Sequence, residues 1–343
     1  MESHLFKYSN TYTLESGESL PRFQLQYSTL GTLNEAKDNV VWVCHALTAN
    51  AEADDWWEGL VGDGKIINPD KHFIICANIF GSCYGSSSPL DTNPVTQDLY
   101  LGDFPQYTVR DIVGCLVELR KHLEIDKISL LIGGSMGGMQ ALEWAIIEPQ
   151  VPKNLILLAT NAQHSPWGIA FNESQRMALE ADSTWGEHRA DAGKMGLRAA
   201  RAIALLSYRD YQAYWKTQSD TDIEKTDHYK AQSYQQYQGD KLVERFNAHS
   251  YYFLSKAMDS HHIGRGRESV EQALKKVKSR TLCIGISSDY LFPTIEQKTI
   301  AEGINQAQYA EINSFYGHDG FLIEAKAITE IMYDFFDNHS IEF

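Results

Sequence analysis

The sequence predicts an α/β protein with a mostly parallel central sheet, flanking helices and one helical insertion. Three observations carry this reading. Between residues 39 and 160, apolar strand-like runs alternate with helical stretches, the pattern of a parallel sheet covered on both faces. The alternation stops over residues 165–262, which are rich in Ala, Gln, Tyr and Arg at helical spacing, and resumes at Thr281. Within the alternating part, a Gly-x-Ser-x-Gly turn (Gly133, Ser135, Gly137) joins an apolar strand to a helix.

In chain order, residues 6–30 set Phe23, Leu25 and Tyr27 to one side and Gln24, Gln26 and Ser28 to the other, as antiparallel edge strands do. Asn39 to His45 is a continuous apolar run, expected of a strand buried on both faces. It ends in His45-Ala46-Leu47-Thr48-Ala49-Asn50. Such a loop supplies an oxyanion donor in serine hydrolases built on an α/β sheet, and the N–H of Leu47 is the group offered here. His45 itself reads as a packed strand-end histidine. Residues 54–68 form a loop with a short helical piece, in which Trp56 and Trp57 either wall a pocket or cover the core. Phe73 to Asn78 is the next buried strand. The small residues from Phe80 to Pro89 form a loop suited to close backbone approach to a ligand, though not a phosphate loop, since no Gly-Lys-Ser/Thr follows.

Thr108 to Leu123 is an amphipathic helix with Val109, Ile112, Val113, Leu116 and Leu119 on one face. Then come the strand from Ile128 to Ile132, the turn, a helix from Met139 to Ile147, and a strand from Asn154 to Ala159. In the insertion, Ala199 to Tyr208 and Gly239 to Met258 are the clearest helices, and Thr217 to Lys225 is an exposed connection. A strand from Thr281 to Ser287, a helix from Glu296 to Gly303 and a strand from Tyr309 to Ile312 follow. The loop Gly317-His318-Asp319-Gly320 and a closing helix from Ala327 to His339 end the chain. These bounds give a catalytic domain of residues 1–163 and 263–343 and a helical lid insertion of residues 164–262.

A length of 343 residues is ordinary for an α/β domain carrying an insertion. The net charge of −15 argues against a nucleic-acid partner, whose phosphates need a basic surface. The five Cys are odd in number and form no CxxC pair, so buried free thiols in a reducing compartment are expected. The N-terminus lacks a signal-peptide pattern. No apolar run approaches the roughly 18 residues that span a bilayer. A soluble cytoplasmic protein without bound metal or cofactor is the expectation.

The chemistry centres on Ser135. A tight turn between strand and helix presents the side chain above the sheet, and the helix N-terminus offers N–H groups to an oxyanion, starting with Met136. An alcohol needs a base, and the base needs an orienting acid. On α/β-hydrolase sheets the acid follows a later strand and the histidine comes last. Of the 12 His, His318 and His339 follow the final strands, and His339 falls in the tail beside Asn338. His318 sits in a Gly-flanked loop, where an exposed, mobile base belongs. Asp289 follows the Thr281–Ser287 strand; Asp319 competes, but adjacent residues do not easily place one side chain behind the other's ring. The expected triad is Ser135, Asp289 and His318, with Leu47 and Met136 forming the oxyanion hole.

These residues carry a resemblance. The chain resembles the homoserine O-acyltransferases of methionine biosynthesis, a branch of the α/β-hydrolase fold. The matching stretches include His45-Ala46-Leu47-Thr48, Asp55-Trp56-Trp57, Gly62-Asp63-Gly64-Lys65, Gly133-Gly134-Ser135-Met136-Gly137-Gly138-Met139-Gln140, Phe171-Asn172-Glu173, Gly196-Leu197-Arg198-Ala199-Ala200-Arg201, Tyr237-Gln238-Gly239-Asp240-Lys241 and Gly317-His318-Asp319-Gly320-Phe321-Leu322. The resemblance implies ping-pong transfer of an acetyl group from acetyl-CoA, a co-substrate rather than a cofactor, through the serine to the hydroxyl of L-homoserine. It also implies substrate contacts by Arg201 and Asp319, with Tyr208 a further candidate, and a homodimer formed through the lid helices. A guanidinium fork suits the acceptor's carboxylate and a carboxylate suits its ammonium. Arg198, three residues before Arg201, is its competitor. Succinyl-CoA as donor, serine as acceptor, or plain ester hydrolysis on the same triad are the alternatives. Ala49, Gly85-Ser86-Ser87-Ser88-Pro89 and a short stretch between Glu180 and Gly196 depart from the family pattern, and are expected to border the acyl pocket.

Overall fold

The computed structural model describes residues 1–337, so His339 and the end of the expected closing helix lie outside the described residues. Among the described residues there are ten strands: β1 (Glu2–Tyr8), β2 (Tyr12–Thr13), β3 (Ser19–Leu20), β4 (Phe23–Leu30), β5 (Val40–Cys44), β6 (Phe73–Ala77), β7 (Ile128–Gly134), β8 (Pro152–Leu158), β9 (Arg280–Ile286) and β10 (Gln308–Ile312). Eight form one sheet in the order β1-β4-β6-β5-β7-β8-β9-β10, and β2 pairs with β3 alone. Strands β5 to β10 are parallel, while β4 runs antiparallel to both β1 and β6.

The continuous apolar run of β5 follows from its place at the centre. Val40, Trp42 and Cys44 enter the core on one face, and Val41 and Val43 the core on the other. Helices α2 (Val109–His122) and α3 (Met136–Ile147) cover the first face. The second is covered by α12 (Ala325–Asp337) through Ile328 and Met332, with α1 (Ala53–Trp56) and α11 (Gly320–Ile323) on the same side. A capping box opens α2. The Thr108 Oγ1 accepts from the Asp111 N–H at 3.3 Å, and the Asp111 carboxylate accepts from the Thr108 N–H at 2.9 Å. Such a cap stabilises a helix by about 1 kcal/mol.

Between β8 and β9 lie α4 (Pro166–Glu180), α5 (Lys194–Tyr208), α6 (Tyr211–Gln218), α7 (Lys230–Val243), α8 (Ala248–Asp259) and the short α9 (Val270–Leu274). The final strands are joined by α10 (Thr294–Gly303). Leu179, Leu197, Leu242 and Tyr251 of these helices join the first-face core rather than forming a core of their own. The helix expected from Gly239 to Met258 is two helices. Asn247 interrupts it, and its side chain accepts from the N–H groups of His249 (2.9 Å) and Ser250 (3.3 Å) to start α8. That is N-cap chemistry, which overrides the apolar periodicity.

Strand register explains why distant residues meet. Cys44 pairs with Gly133, Gly134 with Leu158, Leu158 with Ile284 and Ile286 with Ile312. The carboxyl ends of β5, β7, β9 and β10 therefore lie along one edge, where ligands bind in open α/β sheets. The segment from Phe80 to Pro89 follows β6, which is parallel to β5, and turns toward β4. Ser87 Oγ accepts from the Gln24 N–H at 3.1 Å and Ser86 Oγ from the Gln26 N–H at 3.0 Å. The small hydroxyl residues satisfy backbone groups of β4. Among the described residues, no helix is long and apolar enough to cross a membrane, and no group of three or more His, Cys, Asp or Glu is placed to hold a metal.

Candidate active site

Ser135 occupies the turn between β7 and α3 with φ +57° and ψ −127°. A side chain in this region costs about 1–3 kcal/mol and persists only where its surroundings over-determine it. Here the Ser135 N–H donates to the Leu158 carbonyl (2.9 Å), and its carbonyl accepts from Thr160 Oγ1 (2.8 Å). Gly137 makes the turn possible, because a Cβ there would stand 2.1 Å from the Cys44 carbonyl oxygen. Helix α3 begins at Met136, three residues before the expected start at Met139. The Met136 N–H thus belongs to the first turn, whose N–H groups lack intrahelical partners. Leu47 lines the same cavity as Ser135.

The three expected triad residues are in contact. Ser135 Oγ lies 2.8 Å from His318 Nε2, and His318 Nδ1 lies 2.6 Å from Asp289 Oδ2. Asp289 Oδ1 accepts from the N–H groups of Leu291 (3.0 Å) and Phe292 (2.9 Å), which fixes the carboxylate plane. His318 was expected to be exposed and mobile, but it is buried, with 3% of its surface accessible. Its ring stacks on Phe292 at 4.9 Å and meets Phe321 at 5.3 Å and Tyr208 at 5.8 Å. Three aromatic rings from separate elements close over the loop, a tertiary effect that its Gly-flanked sequence does not announce. His45 is the packed histidine it was expected to be. Its Nδ1–H donates to the Ala46 carbonyl (2.8 Å), its Nε2 accepts from the Ile79 N–H (3.1 Å), and burial lowers its pKa to about 4.

The triad opens into a cavity of about 390 Å³. Arg201, Tyr208 and Asp319 line it, as do Lys241, Arg245 and Trp56. The two tryptophans divide the alternatives: Trp56 walls the cavity, while Trp57 is buried and donates from Nε1 to the Phe321 carbonyl (3.1 Å). The Arg201 guanidinium sits 5.5 Å from the Tyr208 ring centre, and among the described residues it has no carboxylate within ion-pair distance. Arg198 does not line the cavity and is paired with Asp240 at 2.5 Å. Ala49 borders the cavity, whereas the Gly85–Pro89 segment does not.

Two arginines escaped the sequence reading. Arg209 Nε lies 2.7 Å from Asp319 Oδ2. Arg245 Nη1 donates to the Thr48 carbonyl (2.5 Å) and to Tyr84 Oη (2.8 Å), tying the end of α7 to the loop that carries Leu47. Neither lies in an apolar pattern, and long flexible side chains that act at a distance leave no local signal.

Burial raises the Asp319 carboxyl above its ordinary range, while the Arg209 and Arg201 guanidinium groups oppose the shift. Glu296, in the first turn of α10, is pushed up to about 7, chiefly by burial, with the Asp289 carboxylate adding to the shift and Asn161, His318 and Ser165 acting against it. The sign for stability follows from proton binding. Between the unfolded value near 4.5 and the folded value of about 7, the folded chain holds more protons, so stability falls as pH rises through that window. Glu296→Gln is therefore expected to raise the thermal midpoint more at about pH 8 than at about pH 5. Equal gains at both pH values would show that the Glu296 carboxyl is not desolvated.

A family profile of the alpha/beta hydrolase fold matches residues 39–325. A homoserine O-acetyltransferase of Cyclobacterium marinum is 50% identical over 336 residues, covering 98% of this chain and 95% of its own length. The crystal structure of homoserine O-acetyltransferase from Bacillus anthracis matches with a TM-score of 0.87 at 26% identity, over 98% of both chains. Esterase E22 matches with a TM-score of 0.88 at 22% identity, over 97% of this chain and 99% of its own, a likeness of fold alone.

Proposed function

Because the chain belongs to the homoserine O-acetyltransferases of the α/β-hydrolase fold, we propose that Ser135 carries an acetyl group from acetyl-CoA to the hydroxyl of L-homoserine in methionine biosynthesis. His318 Nε2 takes the Ser135 proton as Oγ attacks the thioester carbonyl. The oxyanion is held by the N–H groups of Met136 and Leu47, and each such donor contributes roughly 3–4 kcal/mol to the transition state. CoA leaves as the thiol, protonated by His318. Homoserine then enters, His318 accepts its hydroxyl proton, and the alkoxide oxygen attacks the acetyl-serine. Collapse of the second tetrahedral adduct releases O-acetylhomoserine and returns the proton to Ser135.

One observation supports transfer over hydrolysis. The cavity that holds the triad also presents Arg201, free of any carboxylate partner among the described residues, close to the Asp319 carboxylate. Opposite charges side by side suit an amino-acid zwitterion and have no use in hydrolysing a neutral ester. Lys241 and Arg245 add positive charge to the cavity wall of a chain whose net charge is −15, which suits the phosphates of CoA. The helices between β8 and β9 act as a lid that limits water, so that homoserine at high effective molarity outruns hydrolysis. Trp215 is 67% and Ile223 93% exposed, and Tyr211 and Tyr237 are exposed nearby in sequence. Apolar groups so placed support a homodimer through these helices. The unpaired thiols support a cytoplasmic location.

Arg201→Met is expected to raise KM for homoserine by roughly 30- to 4,000-fold, since losing one partner of a buried charge-assisted contact costs about 2–5 kcal/mol, and to leave acetyl-CoA cleavage in the first half-reaction intact. Steady-state kinetics with each substrate varied reads this directly. The function itself is tested by a matrix of donors and acceptors: acetyl-CoA or succinyl-CoA against homoserine or serine. One methylene is worth about 1–3 kcal/mol to a pocket, so homoserine should be favoured over serine by tenfold or more. Thiol release independent of homoserine, with no O-acetylhomoserine formed, would overturn transfer in favour of hydrolysis.

A further inference from the structure

The corner between α5 and α6 is wedged against the loop that carries His318. Gly317 has φ +66°, and a Cβ on it would stand 2.8–2.9 Å from the Asp210 nitrogen, the Arg209 carbonyl carbon and the Tyr208 carbonyl oxygen. The corner is fixed in turn by Asp210, whose side chain accepts from the Gln212 N–H at 2.7 Å to cap α6. From this corner Arg209 reaches Asp319, Nε to Oδ2 at 2.7 Å, with both side chains largely shielded at 26% and 17% exposure. Asp319 lines the cavity while Arg209 does not. A carboxylate on the cavity wall thus has one oxygen in ion-pair contact with a guanidinium from outside the cavity, although the Arg209 Nε–H is not aligned with it as a hydrogen bond.

We propose that Arg209 is a positioning residue for the acceptor amino acid, anchoring one oxygen of Asp319 so that the other is aimed at the acceptor's ammonium group. The proposal rests on the acetyl-transfer reading, in which Asp319 receives that ammonium. The charged and titratable groups that bear on Asp319 are Arg209, Arg201, His318 and Asp289, and Asp319 in turn bears on Tyr208 and Tyr214. Burial favours the neutral carboxyl, and Arg209 is the foremost group that opposes it. A protonated Asp319 cannot form an ion pair with an ammonium. Without Arg209, acceptor binding should therefore weaken progressively as pH falls. Arg201 is committed to the acceptor's carboxylate and cannot substitute.

The test uses Arg209→Met and Arg209→Lys in the full chain. KM for homoserine and kcat are measured across about pH 6 to 8.5, together with single-turnover thiol release from acetyl-CoA alone and inhibition by γ-hydroxybutyrate, which lacks the ammonium. For Arg209→Met, the homoserine KM is expected to rise about tenfold or more, most at low pH, with thiol release within about twofold of the unaltered protein. Affinity for γ-hydroxybutyrate should barely change, and Arg209→Lys should recover most of the loss. An unchanged KM, a KM increase equal for both ligands and at every pH, or a parallel fall in thiol release would overturn the proposal. If Arg209→Met does not fold, Arg209→Gln, which keeps a polar head without the charge, carries the same comparison of pH profile and of the two ligands. Failure of the acetyl-transfer reading is separately visible, because the unaltered protein would then show no homoserine-dependent turnover.

Discussion

Ser135→Ala is expected to lower the rate of thiol release from acetyl-CoA by about 10⁵–10⁶-fold, the scale on which a serine hydrolase loses activity when its nucleophile is removed. The residual rate comes from binding and from the oxyanion donors, which the substitution leaves in place. The fold should survive. Alanine meets the same backbone restriction at φ +57° as serine does, and the turn is held by bonds of the Ser135 N–H to the Leu158 carbonyl and of Thr160 Oγ1 to the Ser135 carbonyl, neither of which uses the Ser135 Oγ. What is lost is the 2.8 Å contact to His318 Nε2 and the acyl carrier itself. A thiol-release assay, paired with a thermal melt to check folding, reads the effect. Activity within a hundredfold of the unaltered protein would mean that another group accepts the acetyl.

Asp289→Asn is expected to cost about 10⁴-fold in kcat, as the equivalent change does in a serine protease triad. The geometry says why. Oδ1 accepts from two backbone N–H groups, those of Leu291 and Phe292, whereas Oδ2 faces His318 Nδ1. An asparagine must give its one oxygen to the two N–H groups, so its NH₂ turns toward Nδ1. The imidazole then carries its proton on Nε2, where it faces Ser135 and cannot accept the hydroxyl proton. The side chain keeps its shape and its place, so KM for acetyl-CoA should move little while kcat collapses. A loss of less than tenfold would show that Asp289 does not set the tautomer.

The sheet was legible in the sequence because burial on both faces writes continuous apolar runs, as in Val40 to Cys44, and because the order Ser135, Asp289, His318 follows from strands that end at one edge. Local chemistry that competes with periodicity was not. Asn247 splits a helix that the apolar spacing from Gly239 to Met258 suggests is single. The small residues from Phe80 to Pro89 suit close backbone approach to a ligand, yet the hydroxyl groups of Ser86 and Ser87 serve the backbone of β4 and none of the segment lines the cavity of the triad. The burial of His318 depends on Phe292, Phe321 and Tyr208, three rings that no window of sequence brings together. Arg209 and Arg245 follow the same rule. Each sits beyond the end of a helix and acts on a loop more than a hundred residues away in sequence, so its role appears only once the chain is folded.

Burying the triad has a consequence for the chemistry. In a low-dielectric surround, the imidazolium formed during acylation leans on the Asp289 carboxylate at 2.6 Å, and water competes poorly for either. The same enclosure that strengthens the triad limits the water able to reach an acetyl-serine. Transfer and hydrolysis therefore differ here less in the nucleophile than in what the cavity admits and holds, and on the reading proposed above Arg201 and Asp319, which line that cavity, select an amino acid.

The most direct test mixes the protein with acetyl-CoA in the absence of homoserine, quenches in acid, and locates any acetyl group by peptide mass spectrometry, with a chase by homoserine or buffer alone. The expected result is one acetyl group on Ser135 formed with an equal burst of thiol, stable in buffer, and converted to O-acetylhomoserine on the chase at a rate no slower than kcat. Thiol release that requires homoserine from the start, with no acetyl on Ser135, would contradict a carrier serine. So would an acetyl-serine that water removes as fast as homoserine does.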